Sequence, residues 1–256
     1  GKRSVLKQLA DRWALVTGAS SGLGAEFARQ LAARGMHLVL TARRGELMEA
    51  LALDLHTKHG TRCEIIVADL SDPTGPRRVL DAIRERGIEV ELLVNNAGYG
   101  TAGIFHTMPV EDELGMIDLN IAALVRLSHA ALGPMCARRS GGVINVSSTA
   151  SYQPAPGNAT YSATKAFVSS FSQAIHEEVR GAGVKVLAVC PGFTHSEFQA
   201  RAGMEAEDVP GFMWQQPEQV VDAAMRAYDR GRAVVVTTFT VTGSPYATVR
   251  KAARAG

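Results

Sequence analysis

The stretch NATYSATKAF (158–167) places Tyr161 and Lys165 four residues apart with only Ser, Ala and Thr between them. On a helix, positions i and i+4 share one face, a turn apart. A solvated helix would set Glu against Lys there, and a core helix would use Leu. A phenol one turn from an ammonium makes chemical sense where the positive charge favours the phenolate. That charge would bring a free pKa of about 10 down toward neutrality. A phenol so tuned can exchange a proton with a substrate oxygen. The small residues between the two leave room for another molecule to lie against the helix.

A second constellation stands near the start of the chain. The apolar run WALVT (13–17) leads straight into GASSGLG, with Gly18, Gly22 and Gly24 where a strand should end and a helix open. Backbone N–H groups and a helix N-terminus brought close together there suit an anion such as a pyrophosphate. The spacing is G-x-x-x-G-x-G, which differs from the standard G-x-G-x-x-G dinucleotide fingerprint. The next run, HLVLT (37–41), ends in Ala42-Arg43-Arg44, and no acid follows until Glu46. A carboxylate at that point would hold ribose hydroxyls, whereas an arginine suits a 2′-phosphate. Arg43 therefore points to NADP(H), and Arg44 reads as the more superficial of the pair.

These groups need a scaffold to position them. Seven short apolar runs recur along the chain, at 13–17, 37–41, 63–67, 91–95, 142–147, 184–189 and 233–238, with helix-periodic segments such as GLGAEFARQLAAR between them. Runs that are apolar without alternation belong to strands buried on both faces. The pattern predicts a single α/β domain, a doubly wound Rossmann-type parallel sheet of about seven strands with helices on both faces. A helix near 111–138 carries Asn120 in its middle and Gly133-Pro134 near its end, where proline should kink or stop it. The segment 193–216 has no clean period and scatters Phe198, Met204, Phe212, Met213 and Trp214 among acids. Following the carboxyl end of a strand, it reads as a substrate lid.

TGASSGLG, NNAG (95–98), Asn120, INVSS, Tyr161-x-x-x-Lys165 and CPG (190–192), in that order, resemble the short-chain dehydrogenase/reductase family over about residues 11 to 240. The resemblance implies a catalytic set of Asn120, Ser148, Tyr161 and Lys165, with Ser148 selected over Ser147 by its distance of thirteen residues from the tyrosine. It also implies a cofactor site built from Gly18, Ser20, Ser21, Gly22, Leu23, Gly24, Arg43, Asp69, Leu70, Asn96, Tyr161, Lys165, Pro191, Gly192 and Thr194. In that scheme Tyr161 is the general acid/base, Lys165 favours its phenolate and holds the nicotinamide ribose, and Ser148 donates to the substrate oxygen. Asn120 bends its helix and holds a water leading from Lys165 to solvent. Asp69 meets the adenine with Leu70 alongside, Asn96 approaches the adenosine, and Asn95 ties strands together.

The bulk composition excludes several other classes. A net charge of +2 over 256 residues, without a long basic run, gives no handle for nucleic acid. No apolar run approaches a membrane span, and the basic N-terminus lacks the apolar stretch of a secretory signal. The basic C-terminal SPYATVRKAARAG reads as a solvated tail. Three scattered cysteines (Cys63, Cys136, Cys190) without CxxC spacing read as free thiols in a reducing cytoplasm. Seven histidines show no metal-ligand spacing, and His195 opens the lid. The expectation is an NADP(H)-dependent oxidoreductase acting on a small-molecule ketone or secondary alcohol, with an apolar (lipid-, acyl- or steroid-like) substrate favoured by the lid. A homodimer or homotetramer built on the helices near 111–138 and 157–181 goes with it. The alternative from another class is an NADP(H)-binding redox sensor without turnover, which the complete catalytic set disfavours.

Overall fold

The computed structural model describes residues 9–194 and 214–237. Seven strands, β1 (Trp13–Thr17), β2 (His37–Ala42), β3 (Cys63–Val67), β4 (Val90–Asn95), β5 (Gly142–Val146), β6 (Lys185–Pro191) and β7 (Val234–Thr237), form one sheet. Their order is β3-β2-β1-β4-β5-β6-β7, and every pairing is parallel. Each expected strand lies within a residue or two of its expected bounds. The chain starts at the centre of the sheet, winds out to β3, returns beside β1 and winds out to β7. The strand order reverses between β1 and β4, and open α/β sheets bind ligands at the carboxyl ends beside such a reversal.

The helices are α1 (Gly22–Ala33), α2 (Gly45–His59), α3 (Gly75–Glu85), α4 (Val110–Ile117), α5 (Leu124–Arg138), α6 (Ala159–Arg180) and α7 (Pro217–Asp229). Alternate strand residues feed two cores, because successive side chains point to opposite faces. On one face Leu38, Leu40, Leu92 and Val94 pack with Phe27, Leu31, Met48, Val221 and Met225 of α1, α2 and α7. On the other, Val39, Leu93 and Val143 pack with Val79, Leu127, Ile175 and Val179 of α3, α5 and α6.

Two expectations about the middle helix are corrected. Pro134 neither stops nor ends α5, which continues to Arg138 and closes on Arg139 in the left-handed region at φ 55°. The interruption falls earlier, where residues Asp118–Ala123 between α4 and α5 adopt a π-helical turn. In addition, the continuous helical stretch Val110–Arg138 is long and apolar enough by composition to cross a membrane, against the expectation that nothing in the chain comes near a span. Here α5 covers β4 and β5, and α4 lies against α6. The stretch is apolar because one side of it is core. The lid residues 195–213 (His195, Phe198, Met204, Phe212 and Met213 among them) and the C-terminal tail lie outside the described residues.

Candidate active site

Most of the anticipated residues converge on one cleft of about 390 Å³ at the carboxyl ends of the strands. Gly24 and Asn120 do not line it; both stand just behind its wall.

The cofactor end is built on backbone. Gly18 adopts φ 63°, a conformation that glycine reaches without strain. Gly24 lies so close beneath the turn that an added Cβ would overlap the Gly18 carbonyl and stand 2.6 Å from Asn96 Nδ2. Ser21 occupies the N-cap of α1, yet its side chain does not cap the helix. It accepts instead from the Arg44 guanidinium at 3.0 Å, as Ser20 does at 3.2 Å. The first-turn amides of α1 are thus left for an anion. Arg43 and Arg44 both border the cleft. The ranking of Arg44 as superficial is corrected: it braces the two serines of the turn, a contact that appears only once β1 and β2 lie side by side. Leu23 packs partly into the core.

Two asparagines are committed to the scaffold. Asn96 Nδ2 donates to the carbonyls of Thr17 (3.2 Å) and Gly18 (3.3 Å), so the amide expected to approach adenosine braces the glycine turn while lining the cleft. Asn95 ties strands as expected, donating to Asn145 Oδ1 at 2.9 Å and Ser128 Oγ at 3.0 Å. Asp69 accepts from Ser71 N–H and Oγ–H. Its carbonyl is closely approached by Gly75, where an added Cβ would overlap it. Sequence reasoning misses Gly75, whose only signal is a glycine opening a helix. At the far wall Gly192 N–H donates to Thr237 O, and Thr194, 3% exposed, pairs with Gln215.

The chemical end rests on α6 and the end of β5. Tyr161 and Lys165 share a face, the Lys165 Nζ lying 5.8 Å from the phenol ring centre. Lys165 is 5% exposed and donates to Val146 O at 3.0 Å. Ser148 hydrogen-bonds the Tyr161 phenol. Ser147 faces inward, donating to Lys165 O at 2.8 Å and meeting Ser169 Oγ at 2.7 Å, which anchors the lysine's turn of helix. Asn120 turns into the fold: its amide donates to Tyr99 O (2.9 Å) and Thr164 Oγ1 (3.1 Å) and accepts from Tyr99 N–H (3.1 Å). These bonds draw the helix into its π turn. Gly98 faces the gap between Asn120 and Lys165, where a Cβ would stand 3.0 Å from Asn120 Oδ1 and 3.5 Å from Lys165 Nζ.

The electrostatic expectation is corrected. Burial pushes the Tyr161 phenol up to about 12, with the Ser148 hydrogen bond pulling the other way. Burial also pulls the Lys165 ammonium down to about 8. Desolvation disfavours the charged form of each group and is the largest cause of both shifts. Near neutral pH the phenol holds its proton.

The comparisons agree with this architecture. A family model described as short chain dehydrogenase matches residues 12–207. The chain is 34% identical over 219 residues to the very-long-chain 3-oxoacyl-CoA reductase of Anas platyrhynchos, covering 83% of this chain and 67% of that one. It is 33% identical over 204 residues to the inactive hydroxysteroid dehydrogenase-like protein 1 of Homo sapiens, covering 78% of this chain but only 61% of that protein. A solved short-chain dehydrogenase from Sphingobium yanoikuyae in complex with NADPH is similar at TM-score 0.86 and 34% identity, over 95% of this chain and 94% of the other. With a family model over most of its length and a relative 34% identical over 83% of it, the chain belongs to the short-chain dehydrogenase/reductase family.

Proposed function

We propose that the protein is an NADP(H)-dependent oxidoreductase interconverting a ketone and a secondary alcohol, with Tyr161 as general acid/base. The observation that carries this reading is that one cleft is lined by Ser148, Tyr161 and Lys165 together with the glycine turn and Arg43 and Arg44. The cofactor fits the residues present: uncapped amides of α1 meet the pyrophosphate, and the two arginines meet a 2′-phosphate. When bound, the nicotinamide supplies or accepts the hydride. Ser148 donates a hydrogen bond to the carbonyl oxygen as negative charge grows there. Tyr161, protonated by virtue of its burial, passes its proton to the same oxygen. Lys165 holds positive charge beside the phenol ring and offsets the charge left on the phenolate. Asn120 keeps the Gly98-Tyr99 segment in place against Lys165.

Ala150, Ala155 and Phe193 border the substrate end of the cleft, and Phe193 packs on Trp214 at 5.8 Å between ring centres. This supports a substrate with an apolar body. The free thiols of Cys63, Cys136 and Cys190 suit a reducing compartment such as the cytoplasm. Val110, Leu114 and Ile117 form an exposed apolar stripe on α4, with Phe167 exposed on the neighbouring α6. Such a stripe suits a second copy of the chain.

The test is loss of NADPH absorbance with a panel of ketones, wild type against Tyr161→Phe. Turnover in the wild type should fall by about two to four orders of magnitude in the variant, while NADPH still raises the melting temperature of both. The likeness to a relative named inactive keeps the sensor alternative in play. NADPH binding with no turnover by the wild type on any ketone would favour it.

A further inference from the structure

The helix that carries Tyr161 and Lys165 is docked on the sheet by polar groups as well as apolar ones. Ser147, Ser169 and Cys190 are all buried, where the ends of β5 and β6 meet α6. Ser147 Oγ meets Ser169 Oγ at 2.7 Å, and Ser169 Oγ meets Cys190 Sγ at 3.6 Å. Tyr152 closes the short 3₁₀ turn Thr149–Tyr152 that follows Ser148, and its phenol donates to the same thiol sulfur at 3.7 Å.

Counting protons fixes the direction of these contacts. Ser147 has one hydroxyl proton and donates it to Lys165 O at 2.8 Å, a carbonyl that can only accept. Ser169 must then donate to Ser147, and the Cys190 thiol to Ser169. Cys190 Sγ is left to accept from Tyr152. Burial holds the Tyr152 phenol above the ordinary tyrosine range, with Cys190 adding to the effect, so the first donor keeps its proton. The result is a one-way chain from Tyr152 through Cys190, Ser169 and Ser147 to Lys165 O, in which each bond polarises the next.

Tyr152 and Ser147, the two ends of the side-chain series, lie on either side of Ser148 in the sequence. Ser148 therefore sits inside a closed loop of covalent and hydrogen bonds. Its own hydroxyl accepts from Ala150 N–H at 3.1 Å and bonds the Tyr161 phenol. Resting on the oxidoreductase reading, we infer that Tyr152 and Cys190 are positioning residues, which hold Ser148 in place against Tyr161 through the chain that ends on Lys165 O. Neither side chain lines the cleft, so both act through Ser148 and neither meets the substrate.

The experiment reads the Ser148–Tyr161 contact directly as well as turnover. Tyr152→Phe deletes the first donor and keeps the ring, and Cys190→Ala cuts the chain in its middle. Both are made in protein carrying tyrosine isotope-labelled at the phenol carbon, with the Tyr161 resonance assigned by its loss in Tyr161→Phe. Ser148→Ala gives the chemical shift of a Tyr161 that lacks its serine. Each variant should move the Tyr161 signal toward that value, and should do nothing further when added to Ser148→Ala. Cys190→Ser keeps a donor and an acceptor, and should stay closer to wild type than Cys190→Ala. In ketone reduction kcat should fall on the order of tenfold with KM changed by no more than about twofold, because a misplaced group costs rate rather than binding. The NADPH-induced rise in melting temperature serves as the folding control. A Tyr161 signal unmoved by either variant, one moved equally when Ser148 is absent, or an unchanged kcat would overturn the inference. Signals that shift as expected in a protein that reduces no ketone would leave the clamp on Ser148 standing and remove the proposed reaction instead.

Discussion

Replacing Gly24 by alanine adds one methyl group where α1 crosses the glycine turn. The new Cβ would press into the Gly18 carbonyl and stand 2.6 Å from Asn96 Nδ2. Neither neighbour can swing away, because one is backbone and the other is held by two carbonyls. Overpacking costs about 1–3 kcal/mol, and rigid neighbours place this case near the top of that range. Alanine regains about 1 kcal/mol over glycine within a helix. The net is a loss of about 2 kcal/mol, which for a chain of this size lowers the melting temperature by about 4–8 °C. The same substitution at Gly181 serves as the opposing control. Gly181 ends α6 at φ −63°, ψ −24°, with nothing within 4 Å of an added Cβ. Alanine there should stabilise by about 0.4–1 kcal/mol through the unfolded chain. Melting followed by circular dichroism, with and without saturating NADPH, reads both. Gly24→Ala should also lose part of the NADPH-induced rise, because the displaced turn no longer presents its amides squarely. A Gly24→Ala protein melting at or above wild type, with Gly181→Ala behaving as expected, would refute the packing argument.

Three further outcomes follow from the site. Arg43→Ala should weaken NADPH by about tenfold or more relative to NADH, and equal losses for both cofactors in a fluorescence titration would remove Arg43 from the 2′-phosphate; Arg44→Ala should weaken both, since it also releases Ser20 and Ser21. Lys165, held near pKa 8 by burial against 10.5 in the unfolded chain, binds fewer protons folded than unfolded between those values, so its burial penalty is full below pH 8 and relieved as pH rises toward 10.5. Urea unfolding of wild type against Lys165→Met should therefore show the wild type gaining stability relative to the variant across that window, and a wild type that stays level with the variant or loses ground to it would contradict this. Leu114→Arg, placed in the exposed stripe of α4, should shift the mass measured by light scattering from an oligomer to a monomer, and a wild type already monomeric would dispose of that interface.

Much of this protein is legible in its amino-acid order. The strands stand out because each is a short apolar run without alternation, as a sheet covered on both faces requires, and every such run forms a strand. The glycine turn and the Tyr161–Lys165 pair are legible because both depend on spacings of a few residues. The middle helix shows where local signals run out. Pro134 reads as a stop, but α5 is held to Arg138 by packing on β4 and β5, and packing overrides a local preference. The π turn at Asn120 arises from bonds to Tyr99 and Thr164, residues 21 and 44 positions away.

The sequence by itself determined the order of the elements, the sheet they build and the residue types that meet at its carboxyl edge, because those follow from periodicity and short spacings along the chain. Only the tertiary structure decided that Arg44 braces Ser20 and Ser21, that Asn96 braces the glycine turn, and that Asn158 at the N-cap of α6 leaves the helix without a side-chain cap. It alone decided the protonation of the central pair, since burial acts on a phenol and an ammonium through everything packed around them, and that surrounding is assembled from strands and helices distant in the chain.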